Sequence, residues 1–207
     1  MDFRKPLSVV TPSLDGDVLA ALARADVELT SGEIQRLTGV GSLQGIRNAA
    51  ERLTREGVVS RRVAGSAHLF SLNRQHVAAE SIEALSRLPE NIVGRLRETI
   101  AAWSRPPTFA LLFGSVATGS ATSESDVDLL IVRPSNIDPD SQPWARQLTS
   151  LQAETSAWTG NDARILEYGD EDLPTDDPVL VVALREGIEL FGSARALRAV
   201  RREMKRG

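Results

Sequence analysis

The stretch FALLFGSVATGSATSESDVDLLIV, residues 109–132, decides how the chain is read. The apolar runs Thr108–Phe113 and Val127–Val132 have the length of strands and read as neighbours in a buried sheet. Between them Gly114-Ser115 is followed by ten residues and then by Asp126-Val127-Asp128. Aspartates at i and i+2 on a strand point to the same face, so both can bind the same divalent cations. Such a pair of like charges is costly without a cation, which makes it informative at the start of a buried strand. Gly114 allows close backbone approach to a phosphate, and Ser115 offers a hydroxyl. The amides that follow can cradle an anion where a helix begins. Phosphates held by the loop and cations held by the facing strand make a site for phosphoryl or nucleotidyl transfer. The plainer reading, two solvated turn carboxylates, is outweighed by the coincidence of both pairs with strand ends.

Outward from this core, Asn91 to Trp103 reads as a helix and Pro106-Pro107 ends it before the first strand. Pro134 to Pro143 is a loop, Trp144 to Trp158 a helix, and Ala163 to Tyr168 a third strand. Pro178 to Glu189 and Ala194 to Lys205 read as closing helices. Trp103, Trp144 and Trp158 are expected as core anchors. No histidine lies in the C-terminal half to activate Ser115 as a nucleophile.

Gly114-Ser115, ten residues, then Asp126-x-Asp128 resembles the minimal nucleotidyltransferases of the polymerase-β superfamily. Ser125 before Asp126 also agrees with that family, and a looser likeness runs from about Asn91 to Gly192. Asp177-Pro178-Val179-Leu180 and Glu186 to Gly192 resemble its closing helix and strand. The resemblance implies a mixed sheet with flanking helices, two Mg2+ ions, and attack at the α-phosphate of ATP or another nucleoside triphosphate. Gly114 and Ser115 would hold the triphosphate, and Asp126 and Asp128 the metals. Arginines often follow Gly-Ser in the family, where this chain has Val116 and Thr118. A third carboxylate is also expected on a later strand. Asp162 at the mouth of the third strand is the preferred candidate, Glu167 near its far end the other. Alternation puts the two on opposite faces. Aligning the strand by its apolar core instead places Arg164 where the acid belongs, which would weaken catalysis.

The N-terminal part reads as three short helices and a hairpin. Leu14 to Arg24 carries Leu14, Val18, Leu19 and Leu22 at helical spacing. Ser31 is a candidate N-cap for a second helix, with Ile34 and Leu37 inward and Gly39 at its end. Ser42 caps a third, which runs to Gly57 with Leu43, Ile46, Ala50 and Leu53 inward. Strands Val58–Val63 and Ala67–Leu72 flank a turn at Gly65. This order resembles the winged helix-turn-helix domains of bacterial regulators. It implies double-stranded DNA as partner, with Gln44, Arg47 and Asn48 near base edges and Arg61 and Arg62 on the phosphates. Reading paired half-sites implies a homodimer. Protein contact is the competing use of such a domain.

The expected architecture is therefore α+β. Residues 1–73 form a winged helix-turn-helix, 74–90 a linker helix, and 91–207 a polymerase-β-like nucleotidyltransferase domain. Net charge is −4, but the halves differ: Met1–Arg105 balances at +2 and Pro106–Gly207 at −6. Six arginines cluster from Arg36 to Arg62, and six basic residues from Arg195 to Arg206. Cysteine is absent, which excludes disulfides and thiolate metal sites and fits a reducing cytoplasm. Neither a secretory signal nor a membrane-spanning run is legible. The expected function is transfer of a nucleoside monophosphate, AMP from ATP, to a protein or small-molecule hydroxyl, in an antitoxin-like, DNA-binding regulator. The alternative is a regulator without catalysis whose C-terminal domain senses nucleotide or dimerises.

Overall fold

A computed structural model describes residues 1–174 and 177–193. The chain divides into two units: residues 4–89 with Asp2, and Glu90 onward with Met1 and Phe3.

In the N-terminal unit, α1 (Leu14–Arg24) is followed by the short strand β1 (Leu29–Thr30), α2 (Ser31–Thr38) and α3 (Leu43–Arg55). The hairpin of β2 (Val59–Ala64) and β3 (Ala67–Leu72) comes next, then α4 (Ala79–Ser86). All three strands are antiparallel, in the order β1-β3-β2. Val18, Leu22, Ile34, Ile46, Ala50 and Phe70 form the centre of the core, each 0–1% exposed. Burying one of the larger of these side chains contributes about 1.5–3 kcal/mol. The segment expected as a linker helix adds Ala79 and Ile82, on α4, to the same core.

Three local readings change. The N-cap of α2 is Thr30, not Ser31: its hydroxyl accepts from the Glu33 amide while the Glu33 carboxylate accepts from the Thr30 amide. This reciprocal capping satisfies two amides at once, and it puts Ser31 inside the first turn, where it is buried. Leu37 and Leu43, expected inward, are 65% and 47% exposed. Each sits at a helix end that projects past the core, and Ala49 takes the buried place on α3. Ser42 does cap α3, accepting from the Gly45 amide at 3.0 Å.

The C-terminal unit takes α5 (Leu88–Ala101) from Glu90 on, then β4 (Phe109–Phe113), the short α6 (Gly114–Ala117) and β5 (Val127–Arg133). It continues through α7 (Gln142–Thr159), β6 (Ala163–Gly169), α8 (Pro178–Glu186) and β7 (Ile188–Phe191). The sheet order is β6-β5-β4-β7; β5 and β6 are parallel and the other pairs antiparallel. A parallel pair needs a long crossover, and α7 supplies it. Both faces of the central strands are covered, which explains their unbroken apolar runs. One face packs Ala110, Leu112, Leu129 and Ile131 with α5 and with Trp144 of α7. The other packs Phe109, Leu111, Leu130 and Val132 with Leu180 and Ala183 of α8.

Trp144 is fully buried and meets Trp103 edge-on at 5.7 Å, while Arg95 lies over the Trp158 ring at 4.6 Å. The expected helix Ala194–Lys205, with its basic cluster, lies outside the described residues. Among the described residues no helix is long and apolar enough to cross a membrane.

Candidate functional site

Strand β4 ends at Phe113, whose register partner on β5 is Asp128. The chain then turns at Gly114 with φ +70°, a conformation that disfavours a side chain. A Cβ on Gly114 would lie 2.5 Å from the Asp128 carboxylate oxygen Oδ2. A side chain at this position would therefore be strained and would have to displace the Asp128 carboxylate. The turn closes on itself through the Ser115 carbonyl, which accepts from the amides of Ser120 at 2.9 Å and Ala121 at 3.0 Å.

The second half of the loop is fixed from β6. Helix α7 ends at Gly160 in the left-handed conformation, and this delivers Asn161 to the mouth of the strand. Asn161 is 4% exposed, and its amide donates to the carbonyls of Ser125 at 2.8 Å and Thr122 at 3.2 Å. Within the loop the Thr122 amide donates to the Ser125 hydroxyl at 2.9 Å. The Val127 amide donates to the Asp162 carbonyl at 2.7 Å. Asp126 therefore stands between two anchored residues, just before β5. Sequence reading missed Asn161, whose single signal was a side-chain amide directly after a helix-ending glycine, a pattern many loops share.

Asp128 lies against Gly114, and Asp126 is close enough to Asp128 to act on it electrostatically. Ser115 opens α6, and among the described residues its hydroxyl bonds to no protein group. Asp162 is exposed, its carbonyl accepts from the Val127 amide, and strand alternation puts it on the face that Arg164 shares. Glu167 serves the opposite face, where its carboxylate accepts from Trp144 Nε1 at 2.8 Å and Arg133 Nε at 3.0 Å. Beside the aspartates stands Arg164. Parallel register pairs it with Asp128, and its Nη1 reaches Asp126 Oδ2 at 2.8 Å. The Arg164 side chain is 67% exposed, so this ion pair contributes only about 0–1 kcal/mol and a stronger ligand can displace it.

Burial is the main cause that raises the Asp128 carboxyl above its ordinary range; Asp126 adds to the shift and Arg164 offsets part of it. Two oxygen-donor carboxylates on one face suit a hard divalent cation. Asp126 and Asp128 supply two such donors, and among the described residues no group of three or more acidic, histidine or cysteine side chains able to hold a metal occurs.

In the N-terminal unit, Gln44, Arg47 and Asn48 are exposed along α3, and Gln44 Nε2 donates to Asn48 Oδ1 at 2.8 Å. Arg61 and Arg62 are exposed on β2, where adjacent residues face opposite ways. Arg62 is engaged by Glu28 through Nε at 2.9 Å and 3.0 Å, and Arg52 of α3 by Asp15. Among the described residues Arg47 and Arg61 make no ion pair, which leaves them as the available cations of the expected DNA-binding set.

Residues 98–195 match the family model described as "Polymerase beta, Nucleotidyltransferase". The C-terminal unit accordingly carries a nucleotidyltransferase domain, and its mixed sheet with flanking helices has the polymerase-β-like fold. No curated protein sequence matches the chain. Among solved structures, a toxin-antitoxin crystallised with AMP-PNP is 17% identical, with 56% of this chain and 84% of that chain covered and a TM-score of 0.37. A mutant of the toxin-antitoxin MntA-HpeT is 13% identical, with 55% and 84% covered and a TM-score of 0.40.

The raised Asp128 carboxyl gives a pH signature. A group whose folded pKa lies above its unfolded value costs no stability while protonated in both states. The cost grows as pH rises through the unfolded value toward the folded one, and is constant above it. Asp128→Asn in the metal-free protein should therefore melt higher than wild type at about pH 7, with the difference vanishing toward about pH 3. Equal melting temperatures across that range would show that the carboxylate carries no such penalty.

Proposed function

We propose that the C-terminal unit binds a nucleoside triphosphate with a divalent cation and transfers its nucleoside monophosphate, AMP from ATP, to a hydroxyl of a protein or small molecule. The observation that carries this reading is the Asp126-x-Asp128 pair set against a left-handed glycine turn that packs on the Asp128 carboxylate. Asp126 and Asp128 would hold the cation. When bound, it supplies positive charge to phosphate oxygens as the α-phosphate is attacked. The Gly114 backbone leaves room for the triphosphate, and the Ser115 hydroxyl is placed to donate to one of its oxygens. In keeping with this, Asn161 holds the loop carbonyls so that Asp126 does not have to reorganise when ligand arrives.

The N-terminal unit, in this proposal, docks on double-stranded DNA as a homodimer, with α3 in the major groove and β2 along the backbone. Arg47 and Arg61 supply the charge; Gln44 and Asn48 face base edges. A DNA-binding unit joined to a group-transfer unit suits an antitoxin-like regulator whose acceptor is a hydroxyl of a partner protein.

One observation favours a second reading. Arg164 is ion-paired to Asp126, and an alignment of β6 by its apolar core would put this arginine in place of the family's third acid. A site so changed can bind nucleotide as a signal without turning it over.

Incubation with ATP labelled at the α-phosphate and Mg2+ or Mn2+, alone and with a co-encoded partner protein, separates the readings. Transfer should occur, and Asp126→Asn or Asp128→Asn should lower it by at least about 100-fold, since a metal supplies several kcal/mol to the transition state. Transfer that survives both substitutions removes the aspartates from the site. An ATP-induced rise in melting temperature without transfer selects the sensor.

For the N-terminal unit, affinity for DNA from upstream of its own gene should fall linearly with salt on logarithmic axes. Arg61→Ala should reduce that slope by about 0.9, the value of one phosphate contact. An unchanged slope for both Arg47→Ala and Arg61→Ala places the DNA elsewhere.

A further inference from the structure

We infer that Arg164 takes the place of a second cation: the site holds one divalent ion with its nucleotide, and the Arg164 guanidinium serves the triphosphate directly. The inference rests on the reading of Asp126 and Asp128 as the nucleotide's cation site. Charge is the first ground. The Arg164 guanidinium already places one positive charge against Asp126 Oδ2, and a second dication there would be repelled by it. Donors are the second. Each further ion needs oxygen ligands of its own, and Glu167 is turned to the other face, committed to Trp144 and Arg133. Among the described residues no third acidic side chain joins Asp126 and Asp128 in a group able to hold a metal.

Position and chemistry then say what the arginine does. Register fixes the Arg164 backbone beside Asp128, while its exposed side chain reaches across to Asp126. A cation arriving at the aspartate pair competes with the guanidinium for Asp126 Oδ2 and releases it. The freed group is planar, permanently charged and suited to two parallel hydrogen bonds with a phosphate. The turn after Gly114 offers no cation of its own, since Val116 and Thr118 follow Ser115. Arg164 is the positive side chain that lies against the carboxylates. It therefore has two states: partner of Asp126 in the free site, and partner of the triphosphate once the ion is bound.

Equilibrium dialysis against Mn2+ and saturating α,β-methylene-ATP counts the ions retained per chain. Wild type should retain one, and Arg164→Asp, which restores an acid at this place, should retain two. Arg164→Ala should bind Mn2+ more tightly in the absence of nucleotide, because Asp126 no longer has a competitor. The same variant should bind α,β-methylene-ATP with Mn2+ at least about 10-fold more weakly, through loss of a charged hydrogen bond. Opposite shifts of the two affinities would not arise from a merely structural role. Two ions on wild type overturn the inference while leaving the aspartates as the cation site. Equal affinities of wild type and Arg164→Ala for both probes overturn it as well. Retention of neither Mn2+ nor nucleotide by wild type overturns the proposed function itself, and with it this inference.

Discussion

The Gly114 backbone and the Asp128 carboxylate are packed so closely that not even a methyl group fits between them. That constraint organises the C-terminal unit around the site. The turn after β4 is left-handed at Gly114, and it starts the loop that returns to β5. Asp128 is also an ionisable group at the head of a strand whose centre, Leu129 to Val132, is fully buried. The fold carries the electrostatic cost of that placement, which Asp126 increases and Arg164 relieves. A site that is strained electrostatically when empty gains correspondingly from a bound cation, so the packing and the proposed ligand point to one purpose.

Much of this was legible in the sequence because it depends on neighbours close along the chain. Strand alternation alone puts Asp126 and Asp128 on one face. The unbroken apolar runs of β4 and β5 follow from their being covered by helices on both sides. The third position was not legible in the same way. Whether Asp162, Arg164 or Glu167 stands beside the aspartates depends on the register between β5 and β6, and a crossover of 18 helical residues with its loops separates the two strands. Nothing local fixes that register; the packing of Ala163 and Ile165 against the α7 face does. Asn161 was hidden for the same reason, since its partners at Thr122 and Ser125 lie more than thirty residues earlier.

The N-terminal unit shows the same division between local and distant effects. Helix periodicity located α1, α2 and α3, while the short strand β1 escaped notice because two residues carry no periodic signal. Its Leu29 and Thr30 matter nonetheless: they add a third strand and supply the cap that starts α2. The arginine cluster looked uniform as a string of letters. Folding separates it, since Arg52 and Arg62 meet Asp15 and Glu28 from distant parts of the chain, while Arg47 and Arg61 form no ion pair among the described residues. A charge run therefore overstates the positive surface unless its long-range partners are counted.

The central claim is that Asp126 and Asp128 form the cation site of a bound nucleotide. Crystals grown with Mn2+ and α,β-methylene-ATP test it directly through anomalous scattering from the metal. A single Mn2+ peak in contact with both carboxylates and with phosphate oxygens is the expected result. A nucleotide bound with its metal away from Asp126 and Asp128, or no nucleotide beside Gly114 at all, would contradict it.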